Sequence, residues 1–268
     1  MNNLHRELAP ISDAAWAEIE EEASRTLKRH LAARRVVDVV GPKGVDFSAV
    51  GTGHTQPVAA PDNGIEARQR LAKPLVELRV PFELSRAALD DVERGATDSD
   101  WDPVKAAARK IAFAEDRAVF QGYAAAGIKG VREATSNPIV TLPSKVLSYP
   151  EAIAQAMTTL RLAGVNGPYR LVLGGGPFTS ASGGTEEGYP VLQHLHRLVE
   201  GDLVWAPAIH GGFLVSTRGG DFELTIGQDF SIGYLGHSRS TVELYLQESF
   251  TFRVLTSEAS VALVLPAS

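Results

Sequence analysis

Apolar residues recur in this chain at two different periods. Between Arg218 and Val254 they fall on every second position: Leu224, Ile226, Phe230, Ile232 and Tyr234, then Val242, Leu244, Leu246, Phe250, Phe252 and Val254 after a Gly236-His237-Ser238-Arg239-Ser240 turn. Alternation of this length predicts an antiparallel ribbon of two long strands with one face buried. Val76, Leu78, Val80, Phe82 and Leu84 repeat the pattern, interleaved with Glu77, Arg79, Pro81 and Glu83. Before them, residues 41–74 are dense in turn formers, among them Gly41-Pro42, Gly51-Thr52-Gly53 and Pro61-Asp62-Asn63-Gly64. Such a stretch predicts an exposed excursion that returns through Leu75 to Leu84. Two strands leaving the body cannot bury an apolar side alone, so the excursion calls for a neighbouring subunit.

The second period is helical. Ala15, Trp16, Ile19, Ala23, Leu27 and Leu31 recur at three and four residues, predicting a helix from Ser12-Asp13 to about Arg34. Acids crowd its first turns and Lys28, Arg29, Arg34 and Arg35 its last, which complements the helix dipole. Ser85 and Gly95 bracket a short helix. Asp102-Pro103 opens the longest one, reaching about Ala126, with Val104, Ala108, Ile111, Ala112, Glu115, Ala118, Val119 and Tyr123 on its inner face. Ser148 and Glu151 read as a capping box for a helix that Gly164 stops. Arg170-Leu171-Val172-Leu173 reads as a buried strand, Gly174 to Gly188 as a loose segment and Pro190 to Val199 as a helix.

Charge and composition remove whole classes of chemistry. A formal net charge of −6 gives no surplus of cations for phosphates, so no nucleic-acid partner is expected. The sequence has no cysteine, which excludes disulfides, thiolate catalysis and Cys-based metal sites. No apolar run approaches the length of a membrane span and MNNLHRELAP lacks a signal-peptide core, so a cytoplasmic protein is expected. His194 and His196 lie two apart on a helix and point about 200° from each other, so no metal site is expected there. Gly51-Thr52-Gly53 and Gly174-Gly175-Gly176 complete no phosphate-binding spacing, and no Gly-x-Ser-x-Gly elbow occurs. No catalytic residue and no cofactor are assigned.

The wording of several segments is distinctive. Arg218 to Val254 resembles the C-terminal half of encapsulins, bacterial shell proteins with the fold of tailed-phage capsid proteins. Leu8-Ala9-Pro10 with Trp16, Glu18, Ile19, Arg34, Val37 and Asp38 resembles that family's opening helix. Lys73 to Arg79, Asp91 to Gly95, Glu115-Asp116, Phe120-Gln121-Gly122, Gly127 to Gly130 and Gly167-Pro168-Tyr169 follow in the family's order. The similarity runs essentially end to end.

The resemblance implies an α+β, HK97-like capsid fold in three parts. Residues 1–40, 85–135 and 222–254 would form a peripheral domain with the spine helix; 41–84 the extended loop; 136–221 and 255–268 an axial domain. It implies a structural role: self-assembly into an icosahedral shell, in the simplest case a T=1 shell of about 60 copies. Such a shell encloses a dye-decolorising peroxidase or a ferritin-like iron oxidase, which carries a C-terminal targeting peptide. By the same resemblance the peptide would dock on Leu27, Leu31, Arg34, Asp38, Phe230 and Ile232. Gly183, Gly184, Thr185, Glu186, Glu187 and Gly188 match the loop around the five-fold pore. Some members stack a flavin on an aromatic residue of the outer helix; Ser85 to Leu89 holds none here, so no flavin is expected. A phage or prophage major capsid protein is the alternative, set back by a chain that starts directly at the helix. A hydrolase and a secreted bacteriocin stand further off.

Overall fold

The first helix is set by its cap. In the computed structural model, which describes residues 3–186 and 188–266, Ser12 Oγ accepts the Ala15 N–H at 3.2 Å and α1 runs Asp13–His30. It ends four residues before the expected end at Arg34. Leu31 turns extended, and a 3-10 turn, Ala33–Arg35, follows. The cause lies far along the chain: the Asp116 carboxylate accepts the N–H groups of Ala32 and Ala33 at 2.8–3.1 Å.

After β1 (Asp38–Val40) come β2 (Ala49–Val58) and β3 (Ala67–Pro74), paired only with each other as a two-stranded sheet. β4 (Val76–Ser85) is different. It pairs along its whole length with a strand near the other end of the chain. The expected excursion therefore ends at about Pro74, and the alternating apolar residues of β4 pack within their own subunit. α2 (Arg86–Glu93) is capped by Ser85, whose Oγ accepts the Ala87 N–H.

The spine helix α3 runs Asp102–Gln121. It stops five residues short of the expected end because Gly122 adopts φ 93°, a left-handed conformation that breaks the helical hydrogen bonding. A short α4 (Val131–Ala134) and β5 (Val140–Thr141) lead to α5 (Tyr149–Leu162). The capping box does not form: Val146–Ser148 is a 3-10 turn, and the Ser148 side chain makes no cap bond. Strand β6 (Tyr169–Leu173) follows. Gly175–Gly183, expected to be loose, is helix α6. Then come β7 (Thr185–Glu186), β8 (Tyr189–Pro190), α7 (Val191–Val199), β9 (Leu203–Trp205), β10 (Gly212–Ser216), β11 (Phe222–Ile226), β12 (Ser231–His237), β13 (Thr241–Val254) and β14 (Ser260–Val264).

Two five-stranded sheets result. One has the order β1-β11-β13-β12 with β4 on the free edge of β13; the other has β5-β14-β10-β6-β9. The expected two-strand ribbon is thus three strands: β13 pairs with β12 through Thr241–Gln247 and with β11 through Phe250–Val254. As a central strand it is buried on both faces, since Tyr245, Gln247 and Thr251 are as enclosed as Leu244 and Phe250. Gly233 makes room for one of them: a Cβ there would lie 2.2 Å from the Tyr245 ring. β13 also joins the two hydrophobic clusters. Val242, Leu244 and Leu246 pack with α1 and α3, whereas Phe250 and Phe252 belong to the cluster built on the second sheet, α5 and α7. Phe120 of α3 stacks on Phe213 of β10 at 5.3 Å inside that second cluster.

Candidate functional site

An apolar groove of about 720 Å³ opens between α1 and β12. Its walls follow from the two periods. Ala23, Leu27 and Leu31 continue the stripe of α1, and Phe230, Ile232 and Leu246 come from β12 and its neighbours. Leu27 and Ile232 are buried, while Leu31 and Phe230 are half-buried and present their faces to the opening. Charged side chains edge it: Arg6, Glu20, Lys28, Arg35 and Asp229. An apolar floor with a charged rim suits an extended peptide with apolar side chains on one side.

Five of the six residues expected for peptide docking meet here: Leu27, Leu31, Arg34, Phe230 and Ile232. Asp38 does not. It starts β1 and lines a separate polar recess of about 290 Å³ with Arg35, Arg170, Ser216 and Thr217, where its carboxylate accepts the Gly220 N–H at 2.6 Å. Arg34 lines both cavities.

Arg34 is engaged mainly inward. Its Nε donates to Glu115 at 2.8 and 3.0 Å, Nη1 to Asp229 at 2.8 Å, and Nη2 to Glu115 at 2.6 Å and Glu248 at 3.2 Å. The guanidinium also lies 4.4 Å from the centre of the Phe230 ring, a cation–π arrangement that fixes one wall of the groove. Burial would lower the Arg34 pKa, but Glu115 and Asp229 outweigh it and hold the group above its ordinary value.

Glu115, Asp116 and Glu248 have no exposed surface at all. Burial, against the pull of the Ala33 N–H and reinforced by the charge of Glu115, pushes the Asp116 carboxyl up to about 7. Glu248 is raised well above the usual carboxylate range by burial first and then by Glu115, with only partial relief from Arg34. Its Oε1 has no hydrogen-bond partner.

The expected pore loop is a compact element. Gly183 ends α6 and Gly184 caps it, donating to the Ser180 carbonyl at 2.9 Å. Thr185 and Glu186 pair with Pro190 and Tyr189 in a small hairpin whose tip holds Gly188 at φ 85°. Glu187 lies outside the described residues. His194 and His196 are both exposed on α7, and no cluster of three metal-ligating side chains occurs among the described residues. Nor, among those residues, is any helix long and apolar enough to cross a membrane.

Sequence reasoning missed the buried carboxyl cluster as a unit. One signal for it was present: Glu248 occupies the same alternation as Leu244, Leu246 and Phe250. An acid in phase with an apolar face must find a cation, a hydrogen-bond partner or a proton. That Arg34, two hundred residues away, is the cation depends on tertiary structure.

Comparison with known proteins agrees with this geometry. The family model Linocin_M18, described as encapsulating protein for peroxidase, matches residues 1–251. The type 1 encapsulin shell protein of Rhodococcus erythropolis is 61% identical over 98% of this chain and 100% of its own length. The corresponding shell protein of Mycobacterium tuberculosis is 58% identical over 98% and 99%. Among solved structures, the virus-like particle from Pyrococcus furiosus superposes with a TM-score of 0.64 at 16% identity, over 92% of this chain and 98% of that one. The capsid of Myoviridae phage XM1 gives 0.55 at 12% identity, over 86% and 90%. These structural likenesses show the fold, an α+β capsid fold of the HK97 type. The chain belongs to the encapsulin shell family.

Proposed function

We propose that this encapsulin shell protein assembles in the cytoplasm as a T=1 particle and captures a peroxidase cargo by a C-terminal peptide laid in the α1–β12 groove. One observation supports the docking site above others. Leu27, Leu31, Phe230 and Ile232, drawn from opposite ends of the sequence, share an open apolar floor that none of the described residues fills. Each subunit offers one groove, so an oligomeric cargo with several tails binds through many weak contacts at once. The Thr185–Pro190 hairpin, repeated around a five-fold axis, forms the rim through which small substrates pass. The sequence of this loop carries two acids, Glu186 and Glu187, and acidic side chains gathered around such an axis would favour cations.

The test of docking is Leu31→Asp. Half-buried at the end of α1, this position places a carboxylate on the apolar floor without cutting into the core. Shells are produced together with a fluorescent reporter bearing the C-terminal tail of a peroxidase cargo. The wild type copurifies with reporter; the variant forms shells of the same size that are empty. Equal loading in both would reject the groove as the docking site.

A further inference from the structure

The cluster below the groove carries more acid than its cation can balance. Glu115 and Asp116 come from α3, Glu248 from β13 and Asp229 from the turn before β12; among the described residues Arg34 is the cation that bonds to Glu115, Asp229 and Glu248, from the segment after α1. Gln247 of β13 is neutral and turns to other partners, accepting from Arg79 of β4 and donating to Gln228. Arg79 itself lies 4.1 Å from the centre of the Tyr245 ring. Asp229 is 45% exposed and has water to share its charge, but Glu115, Asp116 and Glu248 have none. Were all three ionised, one guanidinium would face three carboxylates in a site from which solvent is excluded, at severe desolvation cost.

A carboxyl that keeps its proton removes part of this imbalance, and Glu248 is the one placed to do so. It receives only the longest of the Arg34 contacts, 3.2 Å, and its Oε1 accepts no bond. Asp116, by contrast, ties α3 to the backbone of Ala32 and Ala33. That backbone holds Leu31 and Arg34 in place, so the charge state of the cluster acts directly on the groove.

We propose that this cluster is a proton-operated latch, in which protonated Glu248 beside Glu115 holds the Leu31–Val36 segment closed and loss of the proton releases it. The inference rests on the groove being the cargo site only for its biological meaning; the latch itself is a property of the empty subunit. The direction follows from linkage. The closed state binds the proton more tightly than the open state does. Closure is therefore firmest below the ordinary carboxylate range and weakens as the pH rises through the raised values of Asp116 and Glu248. A groove that grips in mildly acidic conditions and relaxes in alkaline ones is the consequence.

Two measurements on cargo-free protein test this. Infrared spectroscopy of the wild type at neutral pH should show the carbonyl band of a protonated buried carboxylic acid, reduced by one carboxyl's worth in Glu248→Gln. Absence of that band in the wild type overturns the proposal without any variant. Hydrogen exchange across residues 31–36, corrected for intrinsic rates, should lose protection by about tenfold per pH unit where one proton leaves on opening. Glu248→Gln, which keeps the shape and cannot ionise, should flatten that dependence and retain protection at alkaline pH. An unchanged pH slope in the variant contradicts the latch. Failure of cargo loading with both results intact would instead count against the groove as docking site.

Discussion

Only Leu75 separates β3 from β4, yet the two strands meet opposite fates. β4 alternates Val76, Leu78, Val80, Phe82 and Leu84 toward the core and pairs with β13 over ten residues, from Val76 to Ser85. β3 reads Ala67-Arg68-Gln69-Arg70-Leu71-Ala72-Lys73-Pro74 and pairs only with β2, in a hairpin left largely exposed. Its side-chain links are polar and mostly internal, such as Gln56 to Gln69 and Arg68 to Thr55, with Lys73 reaching out to the Gly127 carbonyl. The groove lies on the β4 side of this divide, complete within one chain. The hairpin and the Thr185–Pro190 loop lie on the other side, and under the proposed function they act only when copies surround them. On the function proposed above, one subunit would hold a complete docking groove beside surfaces that await neighbouring copies.

The largest effect should come from removing the unfinished part. Gly51 and Ala72 are cross-strand partners, so deleting residues 52–71 and bridging them with a short turn leaves the base of the hairpin intact. Size-exclusion chromatography should then show subunits in place of shells, while circular dichroism retains the wild-type fold. Loss of folding in the subunit would break the comparison.

Within the finished part, Arg34→Met leaves the buried carboxyls of Glu115 and Glu248 without their cation. Denaturant unfolding of the subunit should show a loss of about 3–5 kcal/mol, the range for removing one partner of a buried ion pair. Across the rim, Glu186→Gln with Glu187→Gln should slow cation uptake by intact shells several-fold while leaving assembly unchanged. Lanthanide luminescence inside the shell reads that directly. The smallest effect belongs to Gln56→Ala, an exposed hairpin position, which should move subunit stability by less than about 0.5 kcal/mol in the same denaturant titration.

How much of this was legible in the sequence depended on the range of the interactions. Most local caps and periods read true: Ser12 and Ser85 cap their helices, and the stripe of α1 supplies the floor of the groove, though Ser148 forms no cap. Errors arose where distant residues decide. Periodicity carried α1 to Arg34 because Leu31 is in phase, but Asp116 captures the next two backbone N–H groups and turns the chain. The glycines of 174–188 suggested a loop, yet α6 forms there, closed against the second sheet by the Gly174 N–H bonded to the Gly211 carbonyl. β4 was assigned to the excursion because alternation shows that a strand has an apolar face and not which strand covers it. The docking residues came from family resemblance, which brought Asp38 along with the others; its own position at the start of β1 directs it to Gly220 instead.

The central claim is that the α1–β12 groove, built within one subunit, is where cargo is held. Cryo-electron microscopy of shells loaded with a tail-bearing cargo tests it most directly. The account predicts a closed icosahedral shell with extended peptide density over Leu27, Leu31, Phe230 and Ile232 on every loaded subunit. Density lying elsewhere on the inner surface, with this groove empty in a fully loaded shell, would contradict it.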